Sequence, residues 1–505
     1  MGALTRGITV NSIGSAYSVT SRFLFNILIA RILGPHQAGM YYLALTVAYF
    51  VGALSVGGLD ATVIRYLAVY RVDGDWASFR GTLRFALRSV AALGITGSLC
   101  LVFGASVIAN GLFHKPELTT PLRVVALYVP LYAVEAVLLA ATQSFKEMKY
   151  KVYIEAMLNP TLRIVLAVTI YLLGGRVHAV LGGYVFSLLV CTVLAVLALR
   201  RCLPVDLSTY PPVAKRRELV NYWFPMFGVS LLSFMVLYGD TLVLGHFRPS
   251  ADVGVYSVCV RLVIVQAFFI GVVGQIFSPM VSELHHREQF GQLSDFSKVI
   301  ALWTVEFFTP IALVFLLVPQ EIMAVFGGGF RSGAPILLIL LAGQFANYIT
   351  GPVGLIVSMA GWSRLQLINM LTSLLLQVVL AFLLIPSQGI VGAAIANSAG
   401  IISLNLLQLI EVRVRLGFQP ISMLLAKPFL GALAGMAVAI VVGRNVKLAS
   451  AWQAVVVCSS MLLAYVATLL LLGFDKHTKL AWLQFRNLIL ARYLNRHAAV
   501  LETGT

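Results

Sequence analysis

Charge is scarce in this sequence. Only 11% of its 505 residues are Asp, Glu, Lys or Arg, against roughly 25% in an ordinary globular protein. So few charges cannot clothe a chain of this length in a water-soluble surface. That excludes a soluble enzyme, a secreted disulfide scaffold and a disordered chain. Cysteine is sparse too. Cys100, Cys191, Cys202, Cys259 and Cys458 are odd in number, lack any CxxC spacing and lie in or beside apolar runs. They read as small core residues rather than bridges or metal ligands. The eight histidines fall near segment ends and form no HExxH pair, so neither a metal site nor a histidine proton relay is expected. No GxxxxGK(S/T) loop is present, which removes a P-loop ATP site. No basic stripe with interleaved aromatics accompanies the net charge of +17, so nucleic-acid binding is not expected.

What the sequence has is apolar length. Hydrophobic residues make up 60% of it and the mean hydropathy is +0.93. A membrane-crossing helix needs about 20 apolar residues, and the pattern predicts an all-α polytopic membrane protein with about fourteen spans. They are expected near 8–33, 37–59, 83–112, 122–142, 152–173, 179–199, 220–244, 253–280, 299–318, 335–359, 365–385, 390–410, 421–442 and 451–472. The Pro-containing basic connection RRCLPVDLSTYPPVAKRREL is the longest polar break. It suggests an N-lobe over 1–200, a cytoplasmic linker over 201–217 and a C-lobe over 218–417, followed by two further spans over 418–473. Residues 474–505 read as a basic amphipathic cytoplasmic tail suited to an anionic membrane surface. The first segment is too polar for a cleavable signal and reads as a membrane helix with a wet face.

Basic residues set the orientation, because cytoplasmic loops collect Lys and Arg. Of the 36 Lys and Arg, eight lie at junctions following odd-numbered spans and three lie deep within spans, leaving 25 on the opposite side. Both termini are therefore expected in the cytoplasm, in keeping with an even number of spans. The external loops are short, which counts against a membrane transferase that holds catalytic groups in a loop domain.

Two junctions resemble each other. ARILGPHQAGMYYLAL joins spans one and two, and DTLVLGHFRPSADVGVYSV joins spans seven and eight. Each ends a span on Leu-Gly, turns through a Pro, and opens the next span with Gly39-Met40-Tyr41 or Gly254-Val255-Tyr256. Six spans separate them, an even number, so the repeats share one orientation about an axis along the membrane normal. Two parallel six-helix lobes around a central cleft are the expected architecture.

These junctions carry a family resemblance. Asp240-Thr-Leu-Val-Leu-Gly245 with Pro249, Gly254 and Tyr256, and the opening SRFLFNILIARILGPHQAGMYYLAL, resemble the polysaccharide and O-antigen flippases of the multidrug/oligosaccharidyl-lipid/polysaccharide exporter superfamily. The likeness covers about twelve spans in pattern and is sharp at the two junctions. It implies a flippase that moves a polyprenyl-pyrophosphate-linked oligosaccharide across a bacterial cytoplasmic (inner) membrane by alternating access. It implies membrane lipids as surroundings, polysaccharide polymerase and glycosyltransferases as candidate partners, and no cofactor beyond a coupling proton or sodium ion.

Intramembrane charge locates the functional surface, since a charge at the bilayer centre costs at least ~2.5–3.5 kcal/mol. Arg22 lies eleven residues before Leu33, about 16 Å along its helix. Arg261 and Arg163 reach similar depth in spans eight and five. Three guanidiniums at one level suit a diphosphate, to which Arg presents paired donors; the resemblance puts Arg22 and Arg261 in spans lining a cationic cavity. The alternative is structural: an ion pair with a buried acid for Arg22 and Arg261, and mutual solvation with Glu155 for Arg163. Arg31 and Arg65, nearer span ends, are candidate gate residues or interfacial side chains. Asp240 is a candidate gate or pairing residue. Glu306 and Glu135 are candidate ion-coupling groups. Two other functions remain open. A cation-coupled multidrug antiporter of the same superfamily needs a buried acid in the N-lobe, whereas the mid-span charge of the first helix is Arg22; a membrane glycosyltransferase or ligase has only His285–Glu288 as a dense polar cluster.

Overall fold

The computed structural model describes residues 2–145, 147–264, 267–446 and 450–473. The tail expected beyond Asp475 lies outside them. Among the described residues the chain is helical, without strands. In hydrocarbon each backbone N–H and C=O must pair within its own segment, and helices do this. The first half holds α1 (Gly2–Val56), α2 (Leu59–Val72), α3 (Trp76–Val107), α4 (Thr119–Ala126), α5 (Tyr128–Ser144), α6 (Met148–Lys151), α7 (Asn159–Leu172) and α8 (Val177–Cys202). The second half holds α9 (Arg216–Phe247), α10 (Ser250–Ile264), α11 (Ala267–His286), α12 (Phe290–Leu317), α13 (Pro319–Ala324), α14 (Ala334–Ile349), α15 (Val353–Met359), α16 (Ser363–Gln388) and α17 (Ile390–Leu416). Two more, α18 (Ala426–Asn445) and α19 (Ser450–Leu472), pack on each other and mainly on α12.

Twelve segments of the described residues are long and apolar enough to cross a membrane. The first, Tyr17–Val72, has 56 residues, about 84 Å of helix against a hydrocarbon core of about 30 Å. It is more than one crossing: α1 bends at Gly34, whose φ of 67° and ψ of 173° are not helical, and Pro35 opens the second arm. The expected eighth span falls on α10 and α11, on either side of residues 265–266, which are outside the described set. Counted this way, each of the fourteen expected spans has its helix.

Several spans are broken rather than straight. Gly57 and Gly58 take φ of 49° and 80°, separating α2 from α1. Pro130 lacks the N–H that would pair with the Ala126 carbonyl, and the fourth span breaks at Leu127 into α4 and α5. Ahead of Pro160 the fifth span winds as a π-helix over Val152–Leu158.

The repeated junctions pack against each other. A Cβ on Gly39 would overlap the Ser250 carbonyl, and one on Gly254 would overlap the Pro35 carbonyl. Pro35 precedes Gly39 by four residues, as Ser250 precedes Gly254, so the two contacts are equivalents under exchange of the repeats. Only glycine permits backbones this close. The largest apolar cluster draws on both halves, including Tyr41, Tyr42, Leu244 and Tyr256.

Candidate functional site

A cavity of about 780 Å³ lies between α1, α5, α7, α9 and α10. Its charged lining is Arg22, Lys151, Arg163 and Arg261 with Asp60, Glu135 and Glu155. Arg22 is exposed to this space. Among the described residues its guanidinium has neither a hydrogen-bond nor an ion-pair partner. Arg261 donates to its own helix at Ser257 O (3.0 Å) and lies 3.9 Å from the Tyr42 ring centroid. Arg163 lies 3.7 Å from the Tyr184 ring centroid, and its Nε has no hydrogen-bond partner. None of the three joins an ion pair among the described residues. Glu155 sits 4.0 Å from Lys151 instead of bridging Arg163.

Arg163 and Arg261 each lie over an aromatic ring rather than in an ion pair. An arginine over a ring gains about 0.5–2 kcal/mol, more when desolvated, without neutralising its charge. Tyr49 is central: its ring lies 5.3 Å from Tyr128 and 5.9 Å from Tyr238, and its hydroxyl is 2.5 Å from that of Tyr184. Tyr128 stacks on Tyr132 at 5.2 Å. These tyrosines come from four helices and escaped the sequence reading, because a single Tyr per span carries no signal until tertiary packing gathers them. Glu135 is buried, and its Oε1 has no hydrogen-bond partner.

The other candidates lie elsewhere. Asp240 is buried beside the cavity. Its Oδ1 accepts from Thr241 N (2.6 Å), and its Oδ2 accepts from Asn397 Nδ2 (2.8 Å) and the Tyr256 hydroxyl. It thereby ties α9, α10 and α17 together. Arg31 donates from Nε to Val325 O (2.7 Å), bridging the two halves near the Gly34 bend. Lys115 adds a second bridge at that end, donating to Gly245 O, and burial pushes its pKa down. At the opposite end Arg65 lies 4.5 Å from the Tyr222 ring, again joining the halves. Nearby, Gly57 and Gly58 meet Phe227 and Met226. Glu306 does not reach the cavity: it sits on α12, where its backbone carbonyl accepts from Tyr465 of α19 (3.1 Å). Among the described residues no group of three or more His, Cys, Asp and Glu is arranged to hold a metal ion.

Two halves that touch across both ends of an arginine-bearing cavity define a multi-pass membrane protein of the transporter type. Its fold is that of the lipid II flippase MurJ in its inward closed conformation, with a TM-score of 0.73 at 14% identity over 95% of this chain and 99% of that one. An inward-facing multidrug resistance MATE transporter of the MOP superfamily shares it at a TM-score of 0.64 and 13% identity, covering 79% and 94%. The chain belongs to the polysaccharide biosynthesis protein family, which it matches over residues 4–285. It is 24% identical to the succinoglycan biosynthesis transport protein ExoT of Rhizobium meliloti (strain 1021) over 343 residues. That match takes in 67% of this chain and 65% of the relative, a little under two thirds of the relative's length.

Proposed function

We propose that this protein is a flippase for a polyprenyl-pyrophosphate-linked oligosaccharide, carrying it from the cytoplasmic to the outer leaflet of a bacterial inner membrane. The observation that carries the reading is the trio Arg22, Arg163 and Arg261, free of ion pairs in one cavity. Guanidiniums that form no ion pair with the cavity's own acids keep their donors for an anion, and a diphosphate accepts such paired donors. The tyrosine wall offers flat apolar faces with hydroxyl edges to sugar rings. The cavity's 780 Å³ lies within the roughly 300–1,000 Å³ of small-molecule sites. It suits the diphosphate and its first sugars, with the prenyl tail left in lipid.

Transport follows from the cross-half contacts. Arg31 and the Gly39–Gly254 crossing act as a gate at the outer end, and Arg65 with Tyr222 acts as a gate at the cytoplasmic end. Opening one while the other stays shut exposes the cavity to one side at a time. An inside-negative potential favours outward movement of the anionic headgroup. Glu135, buried without a partner for Oε1, is the coupling group for a proton or sodium ion. Both termini are cytoplasmic, and polymerase and glycosyltransferases act on the delivered lipid.

Glu135 also favours a second reading, a cation-coupled multidrug antiporter. The test reconstitutes the full chain in liposomes with a labelled polyprenyl-pyrophosphate oligosaccharide and an impermeant quencher. Headgroup translocation supports the flippase. Movement of a cationic dye against a proton or sodium gradient, with no headgroup translocation, replaces it with the antiporter.

A further inference from the structure

A second cavity, of about 400 Å³, lies on the outer surface of the helical bundle, between the first turns of α3 and the connection that joins the two halves. Arg80, Arg84 and Arg88 line it, with Leu87, Ala91 and Ser208. The arginines recur every four residues, so they share one face of α3 with about 6 Å of axial rise between neighbours. Arg80 is engaged: its Nη1 donates to Ser208 O (2.9 Å) and to Tyr210 O. Val213 N donates to Ala77 O (3.1 Å), and Gly81 faces the Val213 carbonyl so closely that a Cβ would overlap it. The connection is thus laid along α3. Arg84 and Arg88 are different. Both are exposed, and neither has a hydrogen-bond or ion-pair partner among the described residues.

Below the arginines the same helical face turns apolar. Ile95, Leu99 and Phe103 are 52%, 50% and 78% exposed, the mark of a stripe that faces lipid. Arg88 to Leu99 spans roughly 16 Å of helix, about half of a ~30 Å hydrocarbon core. With that stripe against lipid, the two free cations come at headgroup height, above a path for acyl chains about one leaflet long. An amphiphile with an anionic head fits both parts, whereas a soluble anion uses only the upper one.

We propose that this groove binds the headgroup phosphodiester of an anionic phospholipid, with Arg84 and Arg88 as its ligands and its acyl chains against Ile95, Leu99 and Phe103. Bidentate arginine–phosphate bonds fix the head, and the Ser208 turn closes one side of the groove. Because the groove's wall is the connection between the halves, an occupied site stiffens that connection. The site is independent of the central cavity and of the transport reading.

Native mass spectrometry of the full-length protein, released from detergent with phosphatidylglycerol or phosphatidylcholine, tests this. The wild type is expected to retain phosphatidylglycerol at least tenfold better than phosphatidylcholine. Arg84→Gln/Arg88→Gln should lose that preference about tenfold with an unchanged melting temperature, since both side chains are exposed. Arg364→Gln/Arg413→Gln, which removes equal charge from another exposed surface, should keep it. Equal loss in both double variants overturns the proposal, as does retention by Arg84→Gln/Arg88→Gln. Displacement of the lipid by an equal concentration of inorganic pyrophosphate overturns it too, because it identifies a site for soluble anions.

Discussion

Gly39 and Gly254 are mutual neighbours: a Cβ on either would stand 3.0 Å from the backbone nitrogen of the other. The two repeats therefore meet at the same residue of each, and they meet through backbone. A contact that depends on the absence of two side chains is tight when formed and easily prevented.

That contact gives the first prediction. Leu at Gly254, or at Gly39, has no space beside the Pro35 or Ser250 carbonyl. Overpacking of this kind costs about 1–3 kcal/mol, a fall of roughly one to two orders of magnitude in the population with this end closed. In a background lacking the five native cysteines, an impermeant maleimide should label Tyr41→Cys at least tenfold faster when Gly254→Leu is added. An unchanged rate would mean that the crossing does not close this end.

Arg163 and Tyr184 should be coupled energetically. Their geometry, 3.7 Å from cation to ring centroid, is worth about 0.5–2 kcal/mol. Tyr184→Leu and Arg163→Gln should each lower the melting temperature, and the double variant should lose less than the sum of the two. Strict additivity would place the stabilisation elsewhere.

At Asp240 the prediction concerns stability. Asp240→Leu strips an acceptor from Asn397 and Tyr256, and each stranded donor costs about 1–3 kcal/mol. Asp240→Asn keeps an oxygen and most of the shape, so it should lose markedly less. Thermal unfolding of purified variants decides this; equal losses would show that the hydrogen bonds contribute little.

The acids separate by position. Glu135 lines the cavity, while Glu306 lies against the α19 interface. Glu135→Gln should abolish any dependence of transport on a proton or sodium gradient, and Glu306→Gln should leave it intact. Transport measured with and without imposed gradients distinguishes them, and the reverse pattern would move the coupling site to α12.

The spans were legible in the sequence because hydrocarbon thickness dictates about 20 apolar residues for each, whatever their packing. The repeat was legible at Gly39 and Gly254 because close backbone approach tolerates one residue type. Helical rise alone gave the expectation of a common depth for Arg22, Arg163 and Arg261, and the three line one cavity. What they touch did not follow from it. Arg163 could be assigned to Glu155 by sequence distance, yet the π-helical stretch Val152–Leu158 intervenes, Glu155 faces Lys151, and Arg163 meets Tyr184 from α8. Glu306 likewise satisfies every local criterion for a buried coupling acid. No residue of α12 lines the cavity, and Glu306 lies on the side of that helix that meets α19; no pattern within the ninth span encodes this.

The proposed hold of the unpaired arginines on a diphosphate rests on the cavity they share. It is tested most directly by headgroup translocation in proteoliposomes, comparing wild type, Arg22→Ala, Arg261→Ala and their Lys counterparts on pyrophosphate-linked and monophosphate-linked lipids. Charge-assisted hydrogen bonds of about 1.5–3 kcal/mol predict a loss of tenfold or more for each Ala variant on the pyrophosphate lipid. The Lys variants should recover only part of this, and wild type should prefer the diphosphate. Folded Ala variants that translocate the pyrophosphate lipid at the wild-type rate would contradict the account.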